Sequence, residues 1–283
     1  MLIFRKAKEL SYWADIQRKK GTKLGFVPTM GALHPGHISL INTSVQANNI
    51  TIASIFVNPT QFNDPKDYEK YPKTIENDIK MLEMTQCDVL FLPDVPEIYP
   101  NKAVSEFHYD LGFLEKRLEG EFRPGHYQGV CMVVHRLLDI VNPDNLYLGQ
   151  KDYQQCMVIK KLVELIGKDA IITIHICSTL REPDGLAMSS RNMRLNKEER
   201  KKAVSIYNSL SYINANFRTG DIPGIITRAK KMLTGAGFNI DYLEVTDATD
   251  LSPVQSWDGN QKITVLVAAF LNDVRLIDNM ILN

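Results

Sequence analysis

Cysteine is scarce and scattered in this sequence. Cys87, Cys131, Cys156 and Cys177 form no C-x-x-C pair and sit in apolar surroundings. That reads as small buried hydrophobes in a reducing cytoplasm rather than as disulfides or a metal centre. Neither sign of charge is in excess: Lys plus Arg and Asp plus Glu are 33 each. The chain therefore lacks the basic footprint of a protein that grips nucleic acid. No apolar run approaches ~18 residues, so a membrane helix is not expected. The start, Met1-Leu-Ile-Phe-Arg-Lys6, meets charge too early for a signal peptide. There is no internal repeat, no low-complexity tract and no G-x-G-x-x-G dinucleotide fingerprint. What remains is ordinary for a globular protein, with 283 residues, 44% hydrophobic and 23% charged. The length sets a soft prior of about two domains.

Apolar and amphipathic segments alternate through the first half. Strand patterns at Leu24–Val27, Ile50–Val57, Asp88–Leu92, Asn145–Leu148 and Ile171–Ile176 are separated by helical patterns. These run over His37–Gln46, Lys73–Thr85, Tyr127–Val141 and Tyr153–Ile166. Near-continuous apolar strands such as Ile52-Ala-Ser-Ile-Phe-Val57 suit a parallel sheet covered on both faces. The expected class is α/β, a doubly wound Rossmann-like sheet with ligands at the carboxyl ends of its strands. Residues 1–178 are expected to form that domain. The turn-rich Leu180-Arg-Glu-Pro-Asp-Gly185 opens a smaller α+β unit over 179–283. In it Asn196 and Glu199 form a capping box ahead of a helix to about Phe217. A helix over Ile222–Leu233 and strands near Tyr242–Thr246 and Ile263–Phe270 complete the unit.

The stretch Phe26-Val-Pro-Thr-Met-Gly-Ala-Leu-His-Pro-Gly-His37 carries the chemistry. Strand, glycine-containing turn and helix start build a cradle for an anion, with unpaired N–H groups and the positive end of the helix dipole facing the turn. Gly31 and Gly36 let backbone approach a ligand, and Pro35 suits a first helical turn. His34 and His37, two of only six histidines, share one face and can point two imidazoles at one phosphate. A surface turn and a zinc site are the alternatives. Zinc needs a third ligand, and no H-E-x-x-H or Cys pair supplies one.

Four further stretches fall where such a sheet presents loops: Val57-Asn-Pro-Thr-Gln-Phe62, Arg123-Pro-Gly-His-Tyr-Gln-Gly129, Gly149-Gln-Lys-Asp-Tyr-Gln-Gln155 and Ala187-Met-Ser-Ser-Arg-Asn192. Gln61–Pro72, polar with two prolines, is a solvated connection or a lid over the strand ends. His34, His37, Lys151, Ser189, Ser190 and Arg191 can supply donors and positive charge to a triphosphate. Asp152 is an acid among cations, with a metal or ribose contact and a salt bridge to Lys151 or Arg191 as its open readings. Gln154 reads as solvated surface. His126 and Arg123 serve substrate entry, the phosphates or the packing of a helix N-terminus. His108, His135 and His175 lie within apolar patterns and read as structural.

Taken together, in this order and spacing, Pro28–His37, Val57–Phe62, Gly149–Gln155 and Met188–Asn192 resemble the pantothenate synthetase (pantoate–β-alanine ligase) family over essentially the whole chain. The H-x-G-H element and Met-Ser-Ser-Arg loop are also similar to those of class I aminoacyl-tRNA synthetases and nucleotidyltransferases. The lysines usual in the synthetase loop are missing, because Ala187 precedes Met188 and Ser190 and Arg191 follow Ser189. Arg191 is left as the mobile cation.

The resemblance implies ATP-dependent condensation of (R)-pantoate with β-alanine through a pantoyl-adenylate, with Mg²⁺, in a cytoplasmic homodimer. It implies ATP contacts from Met30, Gly31, Ala32, Leu33, His34, Pro35, Gly36 and His37. It adds Gly149, Gln150, Lys151 and Asp152, then Leu180, then Met188, Ser189, Ser190 and Arg191. It casts His37 as proton donor beside His34 and Lys151, while Asp152, given as an ATP contact, keeps the metal as one of its open readings. Gln61 and Gln155 are implied as pantoate ligands, with Gln61 also at β-alanine. A neutral amide can hold a carboxylate without the neutralisation an arginine would impose. Met30 and Phe62 are candidate walls for pantoate's methyls. Two other readings stand beside the ligase. One is a nucleotidyltransferase acting on a phosphorylated alcohol, which leaves the Gln61/Gln155 pair without a task. The other is a non-catalytic nucleotide- or tRNA-binding module, which the even charge balance disfavours.

Overall fold

The computed structural model describes residues 1–62, 65–100 and 108–283, with the side chains of residues 65–67 and 219 left aside. In chain order the first part comprises β1 (Leu2–Phe4), α1 (Ala7–Lys19), β2 (Leu24–Thr29), α2 (Pro35–Ala47), β3 (Ile50–Ile55), α3 (Pro65–Lys70), α4 (Ile75–Glu83), β4 (Val89–Phe91) and α5 (Val95–Ile98). It continues with α6 (Glu119–Phe122), α7 (His126–Val141), β5 (Asn145–Gly149), α8 (Tyr153–Leu165) and β6 (Thr173–Cys177). The remainder is α9 (Lys197–Ala203), α10 (Ser205–Asn216), α11 (Ile222–Gly235), β7 (Asn239–Asp247), β8 (Ile263–Leu271) and β9 (Val274–Ile281).

The first six strands form one parallel sheet in the order β1-β4-β3-β2-β5-β6. The continuous apolar runs follow from two covered faces. Phe26, Ile52, Val89, Phe91 and Leu146 point into a core shared with α1, α7 and α8. Their neighbours Val27, Ala53, Leu90 and Tyr147 point into a second core against α2 and α4.

The order of strands reverses between β2 and β5, and there the sheet comes apart. β2 pairs with β3 along its whole length but with β5 only through Gly25–Asn145 and Phe26–Leu146. Pro28 has no N–H to give to a neighbour on that side, so the strands can diverge beyond it. The opening at the carboxyl ends of β2 and β5 is the switch point where an open α/β sheet takes its ligand.

The last three strands form an antiparallel sheet, β7-β8-β9. One face, with Val265, Val267 and Ala269, packs on α10 and α11. The other, with Tyr242, Leu266 and Ala268, joins the core of the first part. Asn196 caps α9 by accepting from the N–H groups of Glu198 and Glu199, and Glu199 accepts in return from Asn196 N–H. The single helix expected from there to Phe217 is interrupted at Val204. β1, α1 and β9 stand outside the sequence expectation. β1 is three residues long, and β9 carries buried Asp278 and Asn279 where an apolar alternation would be sought.

Three cysteines are buried and Cys177 half-buried, all as free thiols, and burial pushes the thiol of Cys87 up to about 11 and that of Cys131 up to about 12. Among the described residues no helix is long and apolar enough to cross a membrane.

Candidate active site at the β2–β5 opening

The H-x-G-H loop is held from behind. Thr29 Oγ1 donates to the Ser54 carbonyl (2.7 Å) and accepts from Gly31 N–H (3.2 Å). Fully buried Asp78 on α4 accepts from the N–H groups of Ala32 (2.9 Å) and Leu33 (2.8 Å) and from Thr74 Oγ1 (3.0 Å). These bonds keep Ala32 in the left-handed region, at φ 48°. They also narrow the anion-cradle expectation. The N–H groups of Gly31, Ala32 and Leu33 are committed to side chains, so the loop turns its imidazoles, not those amides, toward a ligand. Gly31, Ala32, Leu33, Pro35 and Gln150 are not among the residues lining the cavities described below.

His34 caps α2 and His37 sits one turn on, with ring centroids 4.0 Å apart. A Cβ on Gly36 would lie 2.9 Å from the His34 ring, so this position needs glycine for the rings to lie as they do. His37 Nδ1 accepts from His34 N–H at 3.4 Å, which leaves the ring proton on Nε2. His34 Nδ1 is buried without a partner. Among the described residues no metal-holding group of three His, Cys, Asp or Glu forms.

Burial, reinforced by Lys151, lowers His34 to about 4. Burial, then His34 and Lys151, holds His37 well below the usual imidazole range. Both are neutral at pH 7, so they offer N–H donors; the positive charge comes from Lys151 and Arg191.

Gln61 is fixed by its neighbours. Tyr99 Oη donates to Asn58 Oδ1 (2.8 Å). Asn58 Nδ2 donates to Gln61 Oε1 (3.1 Å) and to the Gly129 carbonyl (3.0 Å). With its oxygen occupied, Gln61 presents Nε2, which contacts Met30 Sδ at 3.0 Å. Gly129 allows this approach, because a Cβ there would sit 2.2 Å from the Thr60 carbonyl oxygen.

His126, 6% exposed, has Nδ1 2.8 Å from the Gln61 carbonyl and Nε2 3.2 Å from Arg123 Nη1. The only assignment satisfying both is a proton on Nδ1 donating to the carbonyl and a lone pair on Nε2 accepting from Arg123. Burial and the nearby guanidinium lower His126 to about 4. Asn58 and Asp78 act through tertiary contacts that no local spacing signals, and so stand outside the sequence expectation.

These histidines set a pH dependence. Between about 4 and 6.5 the unfolded chain binds protons that folded His126 and His34 refuse, so stability falls as pH falls through that window. For fully buried His126 the slope approaches about 1.4 kcal/mol per pH unit. The urea midpoint of the nucleotide-free protein is expected to drop steadily from pH 6.5 to pH 5, above the carboxylate range. A flat midpoint there would mean that the folded protein accepts these protons.

β5 delivers Gly149, Gln150, Lys151 and Asp152. The Lys151 ammonium is largely buried and lies 3.9 Å from the half-exposed Asp152 carboxylate, a loose pair that leaves the acid at the cavity wall. One turn on, Gln155 lines the same opening. Gln154 is not solvated, as expected, but buried. It accepts from Glu119 N–H and donates to the Leu114 and Arg117 carbonyls.

The Met188–Arg191 loop lies directly on the H-x-G-H element, with Ser190 Oγ donating to the Ala32 carbonyl (3.2 Å). Tyr71, buried at the end of the Gln61–Pro72 segment, bonds Ser190 through its hydroxyl and packs edge-on against Phe62. Phe62 and Tyr71 are thus docked on the site, while Glu69 and Lys70 are exposed; positions 63 and 64 lie outside the described residues. His135 pairs with the Tyr109 hydroxyl and His175 with Asn145, both away from the opening. His108 is exposed rather than set in an apolar pattern.

Two joined cavities result. The inner one, about 210 Å³, is bounded by His34, His37, Leu180, Met188 and the apolar face of α7. The outer, about 660 Å³, reaches Phe62, Arg123, His126 and the C-terminal sheet. Met30, Gln61, Lys151, Asp152, Gln155, Ser189 and Arg191 border both. An anionic chain laid in the inner cavity would thus meet the cations and the fixed amide at the seam.

The sequence model of the family described as pantoate-beta-alanine ligase matches residues 2–281. The pantothenate synthetase of Cytophaga hutchinsonii is 42% identical, over 100% of this chain and 99% of its own. That of Thermosipho africanus is 41% identical over the full length of both. The crystal structure of pantothenate synthetase from Thermus thermophilus superposes with a TM-score of 0.90 at 36% identity, covering 99% of each chain. Pantoate-beta-alanine ligase from Francisella tularensis, solved with beta-gamma ATP and beta-alanine, matches with a TM-score of 0.80 at 38% identity, over 99% of this chain and 97% of that one. With its motifs gathered at one opening and its whole length matched, the chain belongs to the pantoate–β-alanine ligase family.

Proposed function

We infer that this chain condenses (R)-pantoate with β-alanine, forming pantothenate, AMP and pyrophosphate from ATP through a pantoyl-adenylate. The observation that carries the reading is the seam between the cavities, where Lys151, Arg191 and the oriented Gln61 amide meet, with His37 lining the inner cavity beside it.

Pantoate's carboxylate is ionised at pH 7 and needs no base. One carboxylate oxygen attacks the α-phosphorus of ATP, and the bond to the bridging oxygen breaks. Pyrophosphate leaves carrying the electron pair. The obstacle is the approach of two anions. Lys151, Arg191 and Ser189 answer it with charge and donors, Ser190 anchors their loop on the Ala32 carbonyl, and His34 and His37 add neutral N–H groups aimed at the phosphates. β-Alanine's amine then attacks the acyl carbon, AMP departs, and the nitrogen loses a proton.

Mg²⁺ fits this arrangement: half-exposed Asp152 is the residue that would hold it, since this ion is commonly bound by one carboxylate together with substrate phosphates, whose charge it would offset. The reading takes 1–178 as the ATP- and pantoate-binding domain and 179–283 as the domain carrying the Met188–Arg191 loop. In support, the residues packed on α10 and α11 run from Leu186 to Leu282. It places the enzyme, as a homodimer, in the cytoplasm.

Labelled pyrophosphate should exchange into ATP when pantoate and Mg²⁺ are present without β-alanine. Exchange that appears only with β-alanine would indicate a concerted three-substrate reaction. No exchange with any acid would indicate a binding module.

A further inference from the structure

The C-terminal sheet reaches into the site through Asn279, a side chain 1% exposed. Asn279 Nδ2 donates to the carbonyls of both Gln150 and Lys151, each at 2.8 Å, and Oδ1 lies 3.3 Å from Gln150 Nε2. The amide thus closes on the turn that follows β5, at the sheet's switch point. Its own place is fixed in turn. Asn279 N–H donates to Asp278 Oδ1 (2.8 Å), and the buried Asp278 carboxylate receives Arg181 in a two-pronged bond of 2.6 and 3.1 Å. Arg181 also donates to the carbonyls of Asn279 (3.2 Å) and Gly185 (3.1 Å), with its guanidinium 5.0 Å from the Tyr207 ring centroid. Gly185 lies in the hairpin that leads into Met188–Arg191. One strand, β9, therefore grips both segments that bring charge to the phosphates.

We propose that Asn279 is a positioning residue that sets the Lys151 ammonium against the triphosphate by clamping the Gln150–Lys151 carbonyls. This rests on the reading of Lys151 as a phosphate-facing cation. Only an amide serves here: two carbonyls need two N–H groups from one short side chain, and an aspartate would turn an acceptor toward them. A displacement of the order of 1 Å at the reacting groups slows a reaction by roughly 10²-fold. The clamp thus explains why this ligase places part of its second sheet against the nucleotide loops.

The test is a double-variant cycle read by single-turnover formation of pantoyl-adenylate, with melting temperature and pantoate affinity measured alongside. Asn279→Ala is expected to slow adenylation about 10–100-fold with pantoate affinity kept within a few-fold, and Asn279→Asp to be slower still. Because Asn279 acts through Lys151, Asn279→Ala/Lys151→Ala should be no slower than Lys151→Ala alone. Asn279→Ser, which keeps one donor, carries the same cycle if the other variants do not fold. Losses that multiply, or a wild-type rate for the Asn279 variants beside a slow Lys151→Ala, overturn the clamp and leave the site reading standing. A wild-type rate for Lys151→Ala overturns that reading together with the clamp.

Discussion

Replacing His37 with alanine is expected to leave a folded enzyme whose adenylation step is slower by roughly 10²–10³-fold, the loss typical of one donor aimed at developing charge. His37 Nδ1 is occupied by His34 N–H, so Nε2–H is the donor left for the phosphates. The ring is neutral before ATP binds, because burial and Lys151 disfavour its cation. It meets the phosphates as a neutral N–H donor, and Lys151 and Arg191 supply the charge. When pyrophosphate departs, charge grows on the leaving oxygens and the same N–H bond strengthens, lowering the barrier rather than only tightening the ground state. Single-turnover formation of the adenylate in a quenched-flow apparatus is the measurement. A rate within a few-fold of the parent enzyme removes His37 from the chemistry and leaves it a packing role against His34.

Gln61→Ala should weaken pantoate about 10–100-fold while ATP changes little, since a hydrogen bond to a charged group contributes about 1.5–3 kcal/mol. The Gln61 amide has a one-sided role. Asn58 already occupies Oε1, so Nε2 is the group available to a carboxylate. Gln61→Glu sharpens the test, because it places an anion where pantoate's anion must lie and should cost more than alanine does. Steady-state KM for pantoate and for ATP, measured in parallel, decides it. Equal losses for both substrates would show that Gln61 organises the opening as a whole, through the His126 bond to its carbonyl.

Local order alone determined a large part of this protein. Strand-length apolar runs from Leu24 and Ile50, alternating with helical patterns, specify a covered parallel sheet, because period-2 residues with no polar face have nowhere to go but two cores. The H-x-G-H string, the glutamines at 61 and 155 and the Met188–Arg191 loop are contiguous enough to be read directly, and so the family was legible. The three-dimensional structure decided what faces what. Asp78 is distant in sequence from the amides it accepts, and its capture of Ala32 and Leu33 takes those two amides out of the expected backbone cradle. Burial set the charge of His34 and His37, and burial is a sum over neighbours brought in from α2, β5 and the C-terminal loops. Gln154 looked like surface beside Gln155; one residue of helical rotation placed it in the interior and Gln155 at the opening. β9 escaped notice because its buried polar residues, Asp278 and Asn279, make sense only beside the carbonyls and the guanidinium that they satisfy. A sequence displays periodicity and short motifs, whereas the partner of a buried polar group is fixed by packing alone.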